Sequence, residues 1–211
     1  MVYTTCLPSK LVSVVTDRAD ELELVGGDIA LDLANTVNGP RDGALDEDFL
    51  RTPADLAAWA VHAGVVAAPP PVDEDVLAQV RALRGAIYAV FRAIAAGRTP
   101  DPGDLAVLGE LHAAAVTRAR LIPAGDSYGL AWDGEVLGPL ASAAVDLLRH
   151  GPLDRLKLCA ACPWLFLDTS RNRSRRWCSM NECGARSKMR RYRARQRTSE
   201  GIPSSRATSS A

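Results

Sequence analysis

Hydrophobic residues recur at helical spacing through most of the first 150 positions of this chain. The longest such run covers residues 76–94, where apolar residues return every three or four positions, and it predicts the longest helix. Two shorter runs begin at Thr52-Pro53 and at Asp101-Pro102, each with a capping residue followed by a proline suited to the first helical turn. A further helix is expected over about 136–150, before a Gly-Pro pair.

Two segments depart from this simple pattern. In residues 28–37 the apolar positions fit both a strand and a helix, and we favour a helix because the following residues, 35–40, resemble a helix end and a turn. Residues 119–132 hold two short apolar runs on either side of Ala124–Ser127, which predicts a β-hairpin. The fold class expected is therefore α+β, with a mostly α-helical N-terminal domain that contains one small hairpin.

The composition is that of a soluble globular protein. Hydrophobic residues make up 47% of the 211 positions and charged residues 24%, enough to build a buried core. No run approaches the roughly 18 consecutive apolar residues of a membrane span, so we expect no membrane partner. The first residues lack the basic-then-apolar layout of a signal peptide, which predicts a cytoplasmic protein.

The net charge of zero hides a strong asymmetry. Residues 1–150 contain 11 basic and 21 acidic residues, whereas residues 151–211 contain 14 basic and 4 acidic ones. Such a division is typical of an acidic body with a basic arm that meets a polyanion. We expect four segments: a loose lead-in (1–20), an α-rich domain (21–150), a basic module (151–197) and a disordered tail rich in Ser and Thr (198–211).

Four of the five cysteines lie in two close pairs near the C-terminus, Cys159-x2-Cys162 and Cys178-x4-Cys183. Four thiolates in this spacing suit one tetrahedral Zn²⁺, and a site filled by four cysteines is structural because no position stays open for substrate. A redox Cys-x-x-Cys pair would need a βαβ context that is missing, and an iron–sulfur cluster would need a different spacing. Cys6 stands alone, and we expect no role for it.

The residues around the cysteines predict a treble-clef-like finger. Leu165–Leu167 is expected to form a strand, Arg176-Trp177 a returning strand, and residues 183–197 a helix that begins at the last ligand. One face of this helix carries less polar residues at helical spacing and is expected to pack against the sheet of the finger. Its members are Ala185, Met189, Tyr192 and Gln196.

The same module concentrates positive charge. From Gly184 to Arg197 there are seven basic residues and no acidic one, which is the footprint of a nucleic-acid binder. The candidate phosphate contacts are Arg171, Arg173, Arg175, Arg186, Lys188, Arg190, Arg191, Arg193, Arg195 and Arg197. Two alternatives stay open: the charges form only a solvated surface, or arginines such as Arg173 and Arg176 neutralise the thiolates around the metal.

Other chemical signals in the sequence are weaker. Residues 125–129 match the Gly-x-Ser-x-Gly pattern of hydrolases, but that motif requires a strand, a sharp turn and a helix, and here a second strand follows. We therefore interpret the glycines as hairpin residues and expect no enzyme. Asp32 and Asn35 are three positions apart and either brace a neighbouring turn, which we favour, or line a pocket.

The C-terminal module resembles the CGNR zinc-finger family. The matching residues are Cys159–Cys162, Leu165–Ser170, Arg175–Met180 and Cys183–Arg186, with Ala185 in place of the family asparagine. The N-terminal part resembles the ABATE domain that precedes this finger, most clearly in Gly26-Gly27 and in Leu31–Val37. These resemblances imply a bacterial transcription regulator, sometimes described as stress-induced, whose finger binds DNA.

Two classes of function follow from these observations. In the first, a zinc-stabilised finger presents its arginine-rich helix to DNA, and the N-terminal domain senses a signal or forms a homodimer. In the second, the finger is an adaptor that contacts RNA, the ribosome or an acidic protein. The charge argument is common to both classes and does not separate them.

Overall fold

The computed structural model of the protein describes residues 18–39 and 47–200, with side chains up to Gln196. Cys6, most of the lead-in and residues 201–211 of the tail lie outside these ranges. About half of the described chain is helical. Its helices are α1 (Ile29–Ala34), α2 (Pro53–His62), α3 (Glu74–Ala95), α4 (Pro102–Val116), α5 (Leu137–His150) and α6 (Ala185–Glu200).

The strands form three antiparallel pairs within the described ranges. They are β1 (Val37–Asn38) with β2 (Glu47–Asp48), β3 (Arg120–Ala124) with β4 (Ser127–Ala131), and β5 (Leu156–Leu158) with β6 (Leu165–Leu167). The α+β fold class is thus confirmed, and residues 28–37 form helix α1 followed by strand β1. In the part of the chain that the structure describes, no helix is both long and apolar enough to cross a membrane.

The helix starts follow the capping residues of the sequence. The Thr52 side chain accepts a hydrogen bond from the Asp55 amide while the Asp55 carboxylate accepts one from the Thr52 amide, a complete capping box at the start of α2. The Asp73 and Asp101 side chains cap α3 and α4 in a similar way. α2 ends before Gly64, whose φ of +71° is accessible mainly to glycine.

Within the described residues, one hydrophobic core contains side chains of the N-terminal helices and of the β5–β6 hairpin. Trp59, Phe91 and Leu31 are fully buried among the N-terminal helices, and Leu165 and Phe166 of β6 belong to the same cluster. The β5–β6 hairpin therefore packs into the core of the helical part. Substitutions in the β5–β6 hairpin are therefore expected to change the stability of the N-terminal helices as well.

Residues 26–35, which precede and form α1, lie along the edge of β6 that faces away from β5. The Asn35 side chain accepts a hydrogen bond from the Leu165 amide (2.8 Å) and donates one to the Leu165 carbonyl (2.9 Å). The Gly26 carbonyl accepts a hydrogen bond from the Leu167 amide at 2.8 Å. A Cβ atom at Gly26 would lie 2.7 Å from the Leu31 Cβ atom, so this close approach requires glycine. Gly26 and Asn35 thus take the place of a third strand beside β6.

Asp32 braces the same turn, as the sequence indicated. Its carboxylate is nearly buried and accepts a hydrogen bond from the Gly26 amide at 2.7 Å. Burial raises the pKa of Asp32 to about 6, although that hydrogen bond acts in the opposite direction. The folded state therefore holds the proton more tightly than the unfolded chain does. The contribution of Asp32 to the stability of the folded state is fully present below about pH 4 and is lost as the pH rises through 6.

An Asp32→Asn variant is expected to be more stable than the parent at neutral pH, because it keeps an oxygen for the Gly26 amide and carries no buried charge. From the shift of the pKa, the gain is up to about 3 kcal/mol above pH 7 and about half of that at pH 5. Urea unfolding of both proteins between pH 5 and pH 8 measures this difference. A difference that does not change with pH would contradict the assignment.

Two expectations for the finger are wrong. The partner of β6 is β5, which precedes the first cysteine, and Arg176-Trp177 does not form a strand, although the Arg176 carbonyl accepts a hydrogen bond from the Ala160 amide. The predicted packing stripe of α6 is exposed, with Met189 at 48% and Tyr192 at 57%. The sheet that it was expected to cover is instead buried against the N-terminal helices.

Candidate metal centre and basic helix

The four paired cysteines come together at one point of the structure. Cys159 and Cys162 lie in the connection between β5 and β6, Cys178 precedes a single π-helical turn (Met180–Gly184), and Cys183 lies within that turn. All four Sγ atoms lie within 4.8 Å of one another. The Cys162 and Cys178 sulfurs are 3.5 Å apart, and the Cys178 and Cys183 sulfurs 3.7 Å apart.

These distances fit one tetrahedral zinc ion. Four sulfurs at the usual Zn–S distance of about 2.3 Å are roughly 3.8 Å from one another in a tetrahedron. The Cys159 sulfur also faces the amides of Ala161 and Cys178, each at 3.4 Å, and such amides stabilise a thiolate. The site is a four-cysteine structural zinc site of a zinc finger.

The four sulfurs lie close together and are largely shielded from water, so they cannot all be thiolates unless a cation neutralises them. Cys159, Cys178 and Cys183 are buried and Cys162 is half-buried. The hydrogen bond with Cys159, those with the other two sulfurs and burial together raise the pKa of the Cys178 thiol. A raised pKa favours the protonated thiol. A coordinated divalent cation would favour the thiolate instead, because a thiol that binds a metal is deprotonated outright. Because the four sulfurs complete the coordination shell, the metal would hold the finger together without activating a substrate.

A buried carboxylate organises the loop between the two cysteine pairs. Asp168 is fully buried and accepts hydrogen bonds from the Ser170 amide (2.9 Å), the Ser170 hydroxyl (2.5 Å) and the Arg175 amide (3.0 Å). The Lys157 ammonium donates to the same carboxylate at 2.5 Å. Burial opposes its ionisation, but the hydrogen bonds from Lys157 and Ser170 outweigh this and hold the pKa of Asp168 well below its usual range.

Lys157 and Asp168 have structural roles that the sequence patterns did not predict. The Lys157 ammonium also donates to the carbonyls of Arg173 (2.5 Å) and Arg175 (3.2 Å), so it joins β5 to the arginine-rich loop. The available signal was the Asp168-Thr169-Ser170 sequence after a strand, because an aspartate there often bonds to the backbone two residues later.

Two arginines of the loop are held by the protein itself. The Arg175 guanidinium donates to the carbonyls of Trp177 and Cys178 and lies over the ring of Phe166, 4.7 Å from its centroid. Arg173 has a φ of +50° and pairs with Asp154 at 2.5 Å. Arg175 therefore braces the chain beside Cys178, and Arg173 contacts a carboxylate. The structure places Arg176 over the ring of Trp177.

The other candidate residues whose side chains the structure describes lie on the surface. Helix α6 follows directly from the turn that contains Cys183, and its described side chains are exposed apart from the half-buried Ser187. Arg186 forms an ion pair with Glu182 at 3.6 Å. Besides Arg173, Arg176 and Arg186, the exposed cations of the loop and helix are Arg171, Lys188, Arg190, Arg191, Arg193 and Arg195, while the side chain of Arg197 lies outside the described residues. The metal centre thus anchors a projecting cationic helix.

A cleft of about 300 Å³ adjoins the metal centre. Cys162, Cys183 and Trp164 line one part of it, and Glu21 and Glu23 of the N-terminal part line another. The cleft therefore lies where the finger meets the helical body.

The Gly-x-Ser-x-Gly segment has the structure of a hairpin. Gly125 and Asp126 form the two-residue turn between β3 and β4, Gly125 has a φ of +64°, and Ser127 begins β4. The Ser127 hydroxyl donates a hydrogen bond to the Ala124 carbonyl at 3.0 Å. These residues do not form the strand, turn and helix of a nucleophile elbow.

Comparison with known protein families agrees with this arrangement. A family model named ABATE, described as "putative stress-induced transcription regulator", matches residues 27–151. A second model, described as "CGNR zinc finger", matches residues 155–196. Neither is a family of enzymes. A search of curated proteins finds no match.

Proposed function

The chain belongs to the ABATE family and contains a CGNR zinc finger, and from this we propose that it is a DNA-binding transcription regulator. In this proposal the zinc site holds helix α6, whose cations contact the phosphates of the duplex. The N-terminal part senses a signal or forms a homodimer. The protein acts in the bacterial cytoplasm.

The observation that supports the proposal is the exposure of the described basic side chains of α6 next to the metal centre. A helix with this many like charges repels itself, and a polyanion removes that cost. We assign the phosphate contacts to the candidate residues displayed on the surface and leave out Arg175, whose guanidinium is bound to backbone carbonyls. For sensing, the cleft beside Cys162 and Cys183 is supporting evidence, because a ligand there would touch both the finger and the N-terminal part.

Fluorescence anisotropy with zinc-loaded, full-length protein and random-sequence duplex DNA tests the proposal. If about six phosphates are contacted, the logarithm of the binding constant should fall against the logarithm of salt concentration with a slope near −5. An Arg190→Gln/Arg193→Gln variant should bind more weakly on all sequences and reduce the steepness of the slope by about 2.

The matched control neutralises two exposed arginines of the helical part, in an Arg98→Gln/Arg149→Gln variant. It should bind DNA with the parent affinity and slope. Absence of binding by the parent at 50 mM salt, or an equal loss in both double variants, would contradict the assignment of α6 as the phosphate-contacting element.

The adaptor function is the second candidate, because the same charges attract any polyanion. Competition between duplex DNA and a structured RNA for the labelled complex separates the two. If the RNA displaces DNA at concentrations far below those of unlabelled duplex, RNA is the partner of the helix. If an acidic polypeptide does so, a protein partner is favoured.

A further inference from the structure

The β3–β4 hairpin presents an uncharged and largely apolar face. In its antiparallel register Leu121 lies opposite Leu130 and Pro123 opposite Tyr128. Since directly opposed residues, and those two apart along a strand, share one face of a sheet, these four side chains lie together. The other face holds the alternate residues, including Ala124.

This face is open to solvent. Tyr128 is 76% exposed and Leu121 is 74% exposed, and Pro123 and Leu130 are also exposed. Tyr128 alone offers on the order of 150 Å² of aromatic surface. The four side chains together form a patch on the order of 400 Å², a size at which exposed apolar patches often mark interaction sites.

The hairpin is held firmly at its base. Arg118 pairs with Glu135 at 2.6 Å, and Arg120 pairs with Asp133. The Trp132 indole donates a hydrogen bond to the Ala115 carbonyl of α4 at 3.0 Å. An isolated two-stranded hairpin is only marginally stable in water, so these contacts fix an element that does not cover its own apolar face.

We propose that this face packs against the same face of a second copy of the chain, related by a two-fold axis. The proposal gives a surface to the dimerisation included in the proposed function and rests on it to that extent. A two-fold contact brings each residue of a patch near its own counterpart, so a patch without charges pairs with itself free of repulsion. The four side chains of this face meet that condition.

The charges around the face agree with the two-fold arrangement. Two hairpins that cross in opposite directions place the tip of each beside the base of the other. The tip carries Asp126, which is exposed, and the base carries Arg118 and Arg120 with their carboxylate partners. The charges of Arg118 and Arg120 are balanced by those of Glu135 and Asp133, so the acidic tip of one copy meets a base without net charge in the other.

The area of the face indicates how strongly two copies should associate. Two copies would bury about 800 Å² through these side chains, below the 1,200–2,000 Å² of stable complexes and in the range of weak ones. We therefore expect a reversible dimer with a dissociation constant in the micromolar range.

Sedimentation equilibrium of the zinc-loaded, full-length protein tests the proposal. Protein concentrations from about 1 to about 200 µM span the expected micromolar dissociation constant. The apparent mass should rise from 22.5 kDa towards twice that value. Tyr128→Asp and Leu121→Asp should each raise the dissociation constant at least about tenfold, because they place like charges face to face. Tyr128→Ser, which adds no charge, should weaken association less. Circular dichroism and zinc content should equal those of the parent, since the substituted side chains are exposed.

Ala124→Asp is the matched control, because Ala124 is exposed in the same hairpin but lies on the opposite face. It should associate as the parent does. The proposal is overturned if the parent stays at 22.5 kDa throughout, if Tyr128→Asp associates as the parent does, or if Ala124→Asp is equally impaired. It is also overturned in favour of a lipid surface if the monomeric parent sediments with phosphatidylcholine vesicles and Tyr128→Asp does not.

No nucleic acid is present in these measurements. Failure of the dimer would therefore leave the salt-dependent binding of α6 to DNA as it stands, and failure of DNA binding would leave the sedimentation result as it stands.

Discussion

A Cys178→Ser variant is expected to lose its zinc and most of the stability of the chain. Structural zinc sites contribute on the order of 10–16 kcal/mol in small finger peptides, as much as the roughly 5–15 kcal/mol by which a whole domain is stable. Cys178 is buried, and its sulfur contacts those of Cys162 and Cys183. A serine there replaces a soft thiolate by a hydroxyl that binds zinc poorly.

The effect should spread beyond the finger. The loop that carries Cys178 is held by Arg175, and Phe166 below it lies in the common core with the N-terminal helices. We therefore expect a lower midpoint of thermal unfolding for the whole chain, measured from the helix signal in far-ultraviolet circular dichroism. Limited proteolysis should cut first within residues 155–196.

The control for this prediction is Cys6→Ser, which removes a thiol that has no partner in the paired spacing. It should keep one zinc per chain and the parent midpoint. Removal of zinc from the parent by a chelator should reproduce the behaviour of Cys178→Ser. If Cys178→Ser kept its zinc and its midpoint, the four-cysteine site would not be the structural centre of the finger.

The helices and the metal ligands could be predicted because their signals are local. Thr52-Pro53 and Asp101-Pro102 start helices through bonds within one turn, and the predicted starts are confirmed. The two cysteine pairs need only short knuckles to face one ion, so their spacing sufficed to predict the cluster.

The position of the finger relative to the helices could not be predicted, because it depends on contacts between distant residues. Asn35 and Leu165 are 130 positions apart, and no periodicity relates an amide side chain to the free edge of a later strand. Since β6 is covered by the N-terminal segment, α6 has no sheet to pack on. The stripe of Met189 and Tyr192 therefore remains exposed, although its spacing is that of a packing face.

Asn35 joins the two parts of the chain. Its side chain is 1% exposed and satisfies both the amide and the carbonyl of Leu165, which is fully buried. Asn35→Ala would remove two hydrogen bonds and leave two buried backbone groups without partners. At about 1–3 kcal/mol for each unsatisfied group, the free energy of unfolding should fall by about 4 kcal/mol.

Three comparisons test whether the loss of stability comes from the two hydrogen bonds of Asn35. In Asn35→Ala the Leu165 amide should exchange with solvent faster than the Leu167 amide, which keeps its bond to the Gly26 carbonyl. Asn35→Asp has nearly the same volume but sets a carboxylate against the Leu165 carbonyl, so it should cost at least as much, which separates hydrogen bonding from packing. Asn172→Ala, in an exposed position of the finger, should change stability by less than about 0.5 kcal/mol. If Asn35→Ala cost no more than Asn172→Ala, other contacts of the core, and not this amide, would hold the finger against the helices.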